Sequence, residues 1–233
     1  MISFVVPAHN EEALIGRTLA AIAAAAAVSG EDWEIIVVDD SSVDATAAIA
    51  EAAGARVIHV DYRQIARTRN AGAKVAGGEV LIFVDADTVI DEKVVKATLR
   101  ALTSGAVGGG AALRFDGRIP WHGRLLIWLV RSGMRAARLA AGCYVFSRRG
   151  VFEAVGGFDE KLFAGEELAL SRALAKQGRV VILRESVLSS GRKLRTHSGW
   201  EILRLIAAVT VRGQRSLHSR DDLDLWYGGR RRE

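Results

Sequence analysis

Short β-branched runs alternate with alanine-rich stretches of helical period through the first hundred residues, and few architectures accommodate that rhythm. Residues 2–6, 34–39, 56–60 and 80–84 read as buried strands. Between them, 11–28, 44–53 and 64–76 read as helices, with Asn10 ahead of Glu11 and Glu12 as an N-cap and Gly54 and Gly77 as stops. Strand-helix repetition of this kind requires right-handed crossovers onto a parallel sheet. In such sheets ligands sit beyond the carboxyl ends of the strands, near a switch in strand order. Three polar loops fall there: Pro7-Ala8-His9-Asn10-Glu11, Asp39-Asp40-Ser41-Ser42 and Asp85-Ala86-Asp87. A purely structural protein has little reason to gather acids on one edge.

The rest of the chain is mixed. A helix to about Thr103 is expected after Asp91, then a glycine-rich strand over 107–115, a helix over 121–139 and a strand over 143–147. The turn sequence Gly156-Gly157-Phe158-Asp159-Glu160 follows, then a helix from near Glu166 to Gly178, a strand over 180–184 and a helix over 200–211. No repeat or low-complexity linker interrupts the 233 residues. They read as one domain, with the strand-helix repeats over 1–115, a mixed part over 116–191 and a basic extension over 192–233.

Composition narrows the class of protein. Half the residues are hydrophobic and a quarter charged, as in an ordinary globular domain. A single cysteine, Cys143, excludes an internal disulfide framework, fits a reducing compartment and reads as a small core residue. Met1 leads directly into the first strand, so no signal peptide is read. The apolar stretches near 125–130 and 202–211 are too short for a bilayer-spanning helix, which needs roughly 20 residues. A cytoplasmic location follows as the expectation.

Charge is unevenly placed. The formal net charge of +5 arises within 192–233, where ten Arg or Lys stand against five Asp or Glu. Residues 117–152 contain no carboxylate. On a helix over 121–139, Arg124, Arg131, Arg135 and Arg138 fall within about 60° of one another, opposite Leu125, Leu126, Leu129 and Val130. Trp121 and Trp128 sit beside that stripe, an arrangement that suits an interface. An anionic membrane surface or a phosphate-bearing acceptor is the expected partner, and a solvated outer face is the plain alternative. No aromatic-interleaved motif for nucleic acid is present.

Asp85-Ala86-Asp87 offers two hard oxygen donors after an apolar strand, a set that suits Mg²⁺ or Mn²⁺ when a diphosphate supplies further oxygens. The plain alternative is an acidic loop capping the helix near Asp91. Taken together, Val6-Pro7-Ala8-His9-Asn10-Glu11-Glu12, Val37-Val38-Asp39-Asp40-Ser41-Ser42, Arg69-Asn70-Ala71-Gly72, Gly78 through Asp87, Gly156-Gly157-Phe158-Asp159-Glu160 and Gly165-Glu166-Glu167 resemble family 2 glycosyltransferases of the GT-A fold. Order and spacing fit over 1–180; the last fifty or so residues are less diagnostic.

The resemblance implies a Rossmann-like, mostly parallel α/β sheet with flanking helices, and inverting transfer of a sugar from a nucleoside diphosphate to an acceptor hydroxyl. UDP donors are the default and GDP donors next. By position, Pro7, His9, Glu11 and Asp40 would hold the base and ribose, with Asp40 accepting an N–H from uracil or guanine. Arg69 would face the diphosphate. Asp87 would bind the metal directly, with Asp85 near the ribose or a metal-bound water.

Glu167 would be the general base, beside Glu166, where the family usually has Glu-Asp; both acids could instead serve only the helix dipole. Ala173 stands where many relatives have arginine, and Arg172 is the neighbouring substitute. His197 is a further candidate for metal or phosphate, with a solvated loop histidine as its alternative. His59, His122 and His218 receive no role. Two competing readings are a sugar-1-phosphate nucleotidyltransferase, which would need a glycine- and arginine-rich loop after strand one, and a basic binding module without catalysis.

Overall fold

The computed structural model describes residues 1–115 and 132–190. Its elements in chain order are β1 (Ile2–Ala8), α1 (Ile15–Ala27), β2 (Trp33–Asp40), α2 (Thr46–Ala52), β3 (Arg56–Val60), α3 (Ile65–Val75) and β4 (Val80–Val84). There follow β5 (Thr88–Val89), α4 (Glu92–Thr103), β6 (Ala106–Phe115), β7 (Tyr144–Arg148), α5 (Arg149–Ala154), α6 (Glu166–Gln177) and β8 (Arg179–Ser189). One eight-stranded sheet runs β3-β2-β1-β4-β7-β6-β8-β5. The first four strands are mutually parallel, as the crossover argument requires, and β7 inserts antiparallel beside β4. This is the mostly parallel α/β sheet of the GT-A type.

Both faces of the sheet are covered, so its central strands are apolar on both sides. Phe4 and Val6 of β1 join one core with Ile15, Leu19 and Ile22 of α1 and Val94, Val95 and Leu102 of α4. Val5, between them, joins the opposite core with Ala66 and Ala73 of α3, Phe152 of α5 and Leu170 and Leu174 of α6. The alternation is the period-two geometry of a strand. Strand order reverses at β1, whose neighbours are β2 and β4. The β1–β4 ladder ends at Val5↔Phe83, so Pro7 lies beyond it, where a residue without an N–H suits the strand end. The switch-point crevice therefore opens between the loops after β1 and β4.

Several local expectations are corrected. Asn10 does not cap α1, which begins at Ile15 with Leu14 at its N-cap. Asn10 instead adopts a left-handed backbone, φ 52°, and accepts a hydrogen bond from Val43 N at 2.8 Å, joining the first two loops. The helix expected over 121–139 lies largely outside the described residues; its described part is helical over 132–136 and stops before Arg138, which has φ 55°. The strand expected over 180–184 continues to Ser189, because β8 pairs along most of β6 through two register shifts. The pair β5, absent from the sequence reading, exists only through its contact with β8. The segment over 200–211 lies outside the described residues.

Candidate active site

The site is assembled by α3. Gly72 lets this helix sit against the sheet, since a Cβ there would collide with Val5 Cγ1 and would stand 2.8 Å from Val38 Cγ2. Close docking carries Arg69 and Asn70 to the crevice. Asn70 grips the main chain of Phe158 twice, donating to its carbonyl at 2.9 Å and accepting from its N–H at 2.9 Å. Gly157, at φ 73°, has no room for a Cβ, which would lie 2.7 Å from Asn70 Oδ1. Gln64 adds hydrogen bonds to the carbonyls of Glu160 and Leu162. Two motifs almost ninety residues apart thus clamp each other and set the start of α6, where Glu166 and Glu167 stand.

Arg69 is the hub. It is 1% exposed, donating from Nη1 to Glu166 Oε1 at 2.6 Å and from Nη2 to Asp85 Oδ1 at 2.7 Å. Nη2 also reaches the Gly142 carbonyl at 2.9 Å, and the guanidinium lies 5.2 Å from the Phe158 ring centre. Its Nε is buried with no hydrogen-bond partner. Burial alone would lower its pKa, but the charges of Asp85, Glu166 and Glu167 hold it above the ordinary arginine value. The expectation that Arg69 faces a diphosphate is corrected: its two terminal nitrogens are taken by Glu166, Asp85 and the Gly142 carbonyl inside the protein, and so it bridges the loop after β4 to the start of α6.

The two acids at α6 are then unlike. Glu166 is buried and committed to Arg69, so it holds the site together rather than standing open to a substrate. Glu167 is half-buried, and its carboxylate draws on its own backbone N–H. Burial, reinforced by the charge of Glu166 and opposed by Arg69, pushes its pKa from 4.5 up to about 8. Gly142 faces this carboxylate: a Cβ there would be 3.4 Å from Glu167 Cδ and 3.5 Å from Arg69 Nη2.

The Asp85–Asp87 loop is pinned from three sides. Asp85 N donates to the Cys143 carbonyl at 3.3 Å, Thr18 Oγ1 donates to the Ala86 carbonyl at 2.8 Å, and Ser190 N donates to the Asp87 carbonyl at 3.3 Å. Asp91, not this loop, caps α4 through a hydrogen bond from Val94 N. Asp87 lines a pocket with Arg17, Ser189 and Ser190, and its Oδ1 lies 3.3 Å from Ser189 Oγ. Among the described residues no group of three or more His, Cys, Asp or Glu is arranged to hold a metal. The donor set present, one half-buried carboxylate with hydroxyls beside it, is of hard oxygens and fits Mg²⁺ or Mn²⁺ when other ligands come from elsewhere. Cys143 is buried, and burial with the charges of Asp85 and Asp87 raises its thiol well above the usual range, so it is inert.

Asp40 differs most from its sequence reading. Its carboxylate accepts from Tyr62 N and Arg63 N at 2.8 Å, Gln64 N at 3.2 Å and Thr68 Oγ1 at 2.8 Å. Four donors occupy the roughly four lone-pair sites of a carboxylate. Nothing remains for a base N–H, and Asp40 is corrected to the residue that ties the β3–α3 loop. Its neighbour Asp39, assigned no role from sequence, is 4% exposed and has Oδ1 buried without a partner. The pleat held the signal: adjacent strand residues point to opposite faces, so only one of the two could meet a given ligand. His9 Nδ1 lies 2.7 Å from the Asp40 carbonyl, and Glu11 N donates to Thr46 Oγ1 at 2.8 Å, so both stand at the same edge with Pro7. His197 lies outside the described residues.

Comparison with known proteins agrees with this fold. The glycosyl transferase family 2 model matches residues 3–155. Validoxylamine A glucosyltransferase of Streptomyces hygroscopicus subsp. limoneus is 31% identical over 108 residues, 43% of this chain and 23% of that protein. Undecaprenyl-phosphate 4-deoxy-4-formamido-L-arabinose transferase of Pseudomonas aeruginosa strain LESB58 is 29% identical over 167 residues, 66% of this chain and 49% of that protein. The chain thus spans half or less of the length of these relatives. The mannosyltransferase PcManGT from Pyrobaculum calidifontis, solved with GDP-Man and Mn²⁺, superposes with a TM-score of 0.65 at 20% identity, over 89% of this chain and 60% of that one.

Proposed function

We propose, for a chain that belongs to glycosyl transferase family 2, that it transfers a sugar from a nucleoside diphosphate to an acceptor hydroxyl with inversion at the anomeric carbon. The observation that carries this reading is the division of labour around Arg69. Glu166 is consumed by the guanidinium, and Glu167 is left as a raised-pKa carboxylate at a helix start. Across the same guanidinium stands the Asp85–Asp87 loop.

The acceptor O–H donates its proton to Glu167, and the oxygen forms a bond to the anomeric carbon from the face opposite the diphosphate. The bond from that carbon to the diphosphate oxygen breaks, and its electron pair leaves with the nucleoside diphosphate. No covalent bond to the protein is needed. Asp87, with Asp85 alongside, would hold Mg²⁺ or Mn²⁺, which when bound supplies positive charge for the departing diphosphate. The mannosyltransferase solved with GDP-Man and Mn²⁺ supports the use of a divalent metal. Arg69 keeps Asp85 and Glu166 in register, so it acts as a positioning residue.

Asp39 takes the place first assigned to Asp40. Its unpartnered Oδ1, at the carboxyl end of β2, accepts the imino N–H that uracil and guanine carry, which keeps UDP- and GDP-sugars as the donor class. His9, Glu11 and Pro7 border the base and ribose. For the acceptor, the relative named for undecaprenyl phosphate and the acid-free tract over 117–152 support a phosphate-bearing molecule near a membrane surface. A phosphate oxygen is already ionised and asks for no base, whereas a hydroxyl does; the presence of Glu167 favours the hydroxyl.

Glu167→Gln keeps size and loses the base. Transfer or donor hydrolysis should fall at least about a hundredfold, with UDP affinity in the presence of Mn²⁺ unchanged by calorimetry. The same titration with Asp87→Ala should lose its metal dependence. Full turnover in Glu167→Gln would reduce both acids of α6 to structural roles.

A further inference from the structure

His59 received no role from its sequence context, yet it lies directly across from Asp39 in the parallel β2–β3 register. Its Nδ1 stands 3.1 Å from Asp39 Oδ2. The aspartate side chain is 6% exposed and the imidazole 64%. One carboxylate oxygen is therefore engaged, while the other is buried with no hydrogen-bond partner. On its other side along the chain, Asp40 is fully occupied by the β3–α3 loop, so His59 is the side chain that decides which way the Asp39 carboxylate turns.

An exposed histidine on an edge strand beside an acid is ordinarily a surface pair of little consequence. This pair differs in two respects. The acid is buried, and its second oxygen is left unsatisfied at the carboxyl end of a strand next to the switch point, where such sheets bind ligands. A buried acceptor without a donor is unfavourable until something supplies one.

We propose that His59 is a positioning residue for nucleobase selection: by holding Oδ2 of Asp39 it leaves Oδ1 as the single acceptor offered to a base. The inference rests on the reading of Asp39 given above. A carboxylate turns about one terminal torsion with a broad, nearly two-fold profile, so an unheld group exchanges its oxygens and blurs their direction. Held in one orientation, Oδ1 accepts from the imino N–H of uracil. Cytosine presents a ring nitrogen lone pair at the same place, which the carboxylate repels. UDP and CDP are nearly equal in size and charge, so their ratio isolates this one contact.

Calorimetric titration of UDP and CDP in the presence of Mn²⁺ tests it on the full chain and on Asp39→Asn, His59→Phe, His59→Ala and His59→Asn. The preference for UDP over CDP should fall about tenfold in His59→Phe and His59→Ala, the size expected for one charge-assisted hydrogen bond held in place. His59→Asn, whose amide N–H can reach the same oxygen, should retain most of it. His59→Ala adds no bulk to the edge strand and serves where His59→Phe does not fold. If Asp39→Asn collapses the preference and both donor-less His59 variants keep it, the role of His59 is overturned while the base reading stands. If Asp39→Asn leaves the preference intact, the base reading falls and this inference with it.

Discussion

At the residue scale, Glu167 couples the chemistry to the fold. Its carboxyl is pushed up from 4.5 to about 8, first by burial and then by the charge of Glu166. A base with a pKa near the working pH combines availability with strength. The same shift has a cost that can be measured. Between pH 4.5 and 8 the unfolded chain gives up a proton that the native state keeps. The native state then binds more protons, so stability falls as pH rises through that window. Below it the contribution is level. Urea denaturation across the window should show this decline in the parent chain and a flatter profile in Glu167→Gln. A parent profile that rises with pH would contradict the shift. Arg69 shows the opposite case, a buried cation made tolerable by two carboxylates and a carbonyl.

At the element scale, α3 and the loop before it explain why widely separated motifs belong together. Its glycine allows close docking, its asparagine reads the backbone of Phe158, and its arginine spans two acids. Tyr62, Arg63 and Gln64, which lead into the helix, deliver their N–H groups to Asp40. Arg63 has φ 47°, Ser41 φ 60° and Asn10 φ 52°, so three crevice loops carry backbone in the left-handed region without glycine. Such conformations persist where surrounding contacts over-determine them. Asp40→Ala removes the acceptor of four donors and should cost about 3 kcal/mol or more of stability, since several N–H groups lose their partner together. Asp39→Ala should leave the melting temperature nearly unchanged and weaken UDP binding. Chemical denaturation and nucleotide titration of the two variants separate a structural acid from a recognition acid. Equal stability losses would undo that distinction.

At the scale of the whole molecule, the described residues include no helix long and apolar enough to cross a membrane. The positive charge gathers in two regions, 117–152 and 192–233, much of which lies outside the described residues. The proposal that these tracts meet an anionic surface or a phosphate-bearing acceptor makes a salt-dependent prediction. Each arginine near an anionic bilayer contributes about 1 kcal/mol, fading within a Debye length. Co-sedimentation should therefore show binding to anionic vesicles at low salt, little at high salt, and little to neutral vesicles at either. Failure to bind either kind of vesicle would remove the membrane version and leave the acceptor version.

The alternation of β-branched runs with helical stretches determined the parallel half of the sheet, because crossover handedness and period-two burial leave few other solutions. The strand-end rule also pointed to the Asp85–Asp87 loop, since strand ends in such a sheet are where side chains meet ligands; Arg69 and the Glu166–Glu167 pair, which lie on helices, came only from the family resemblance. The sequence could not assign the acids within each pair. Asp39 and Asp40 are adjacent, equally polar and equally placed along the chain; only the β3–α3 loop folding back over one of them shows which is used up. Glu166 and Glu167 are separated in role by a guanidinium from a helix almost a hundred residues earlier. The β5–β8 contact and the full length of β8 were hidden for the same reason. A pairing made across roughly seventy to a hundred residues depends on where the partner strand lies, and local pattern carries no information about that.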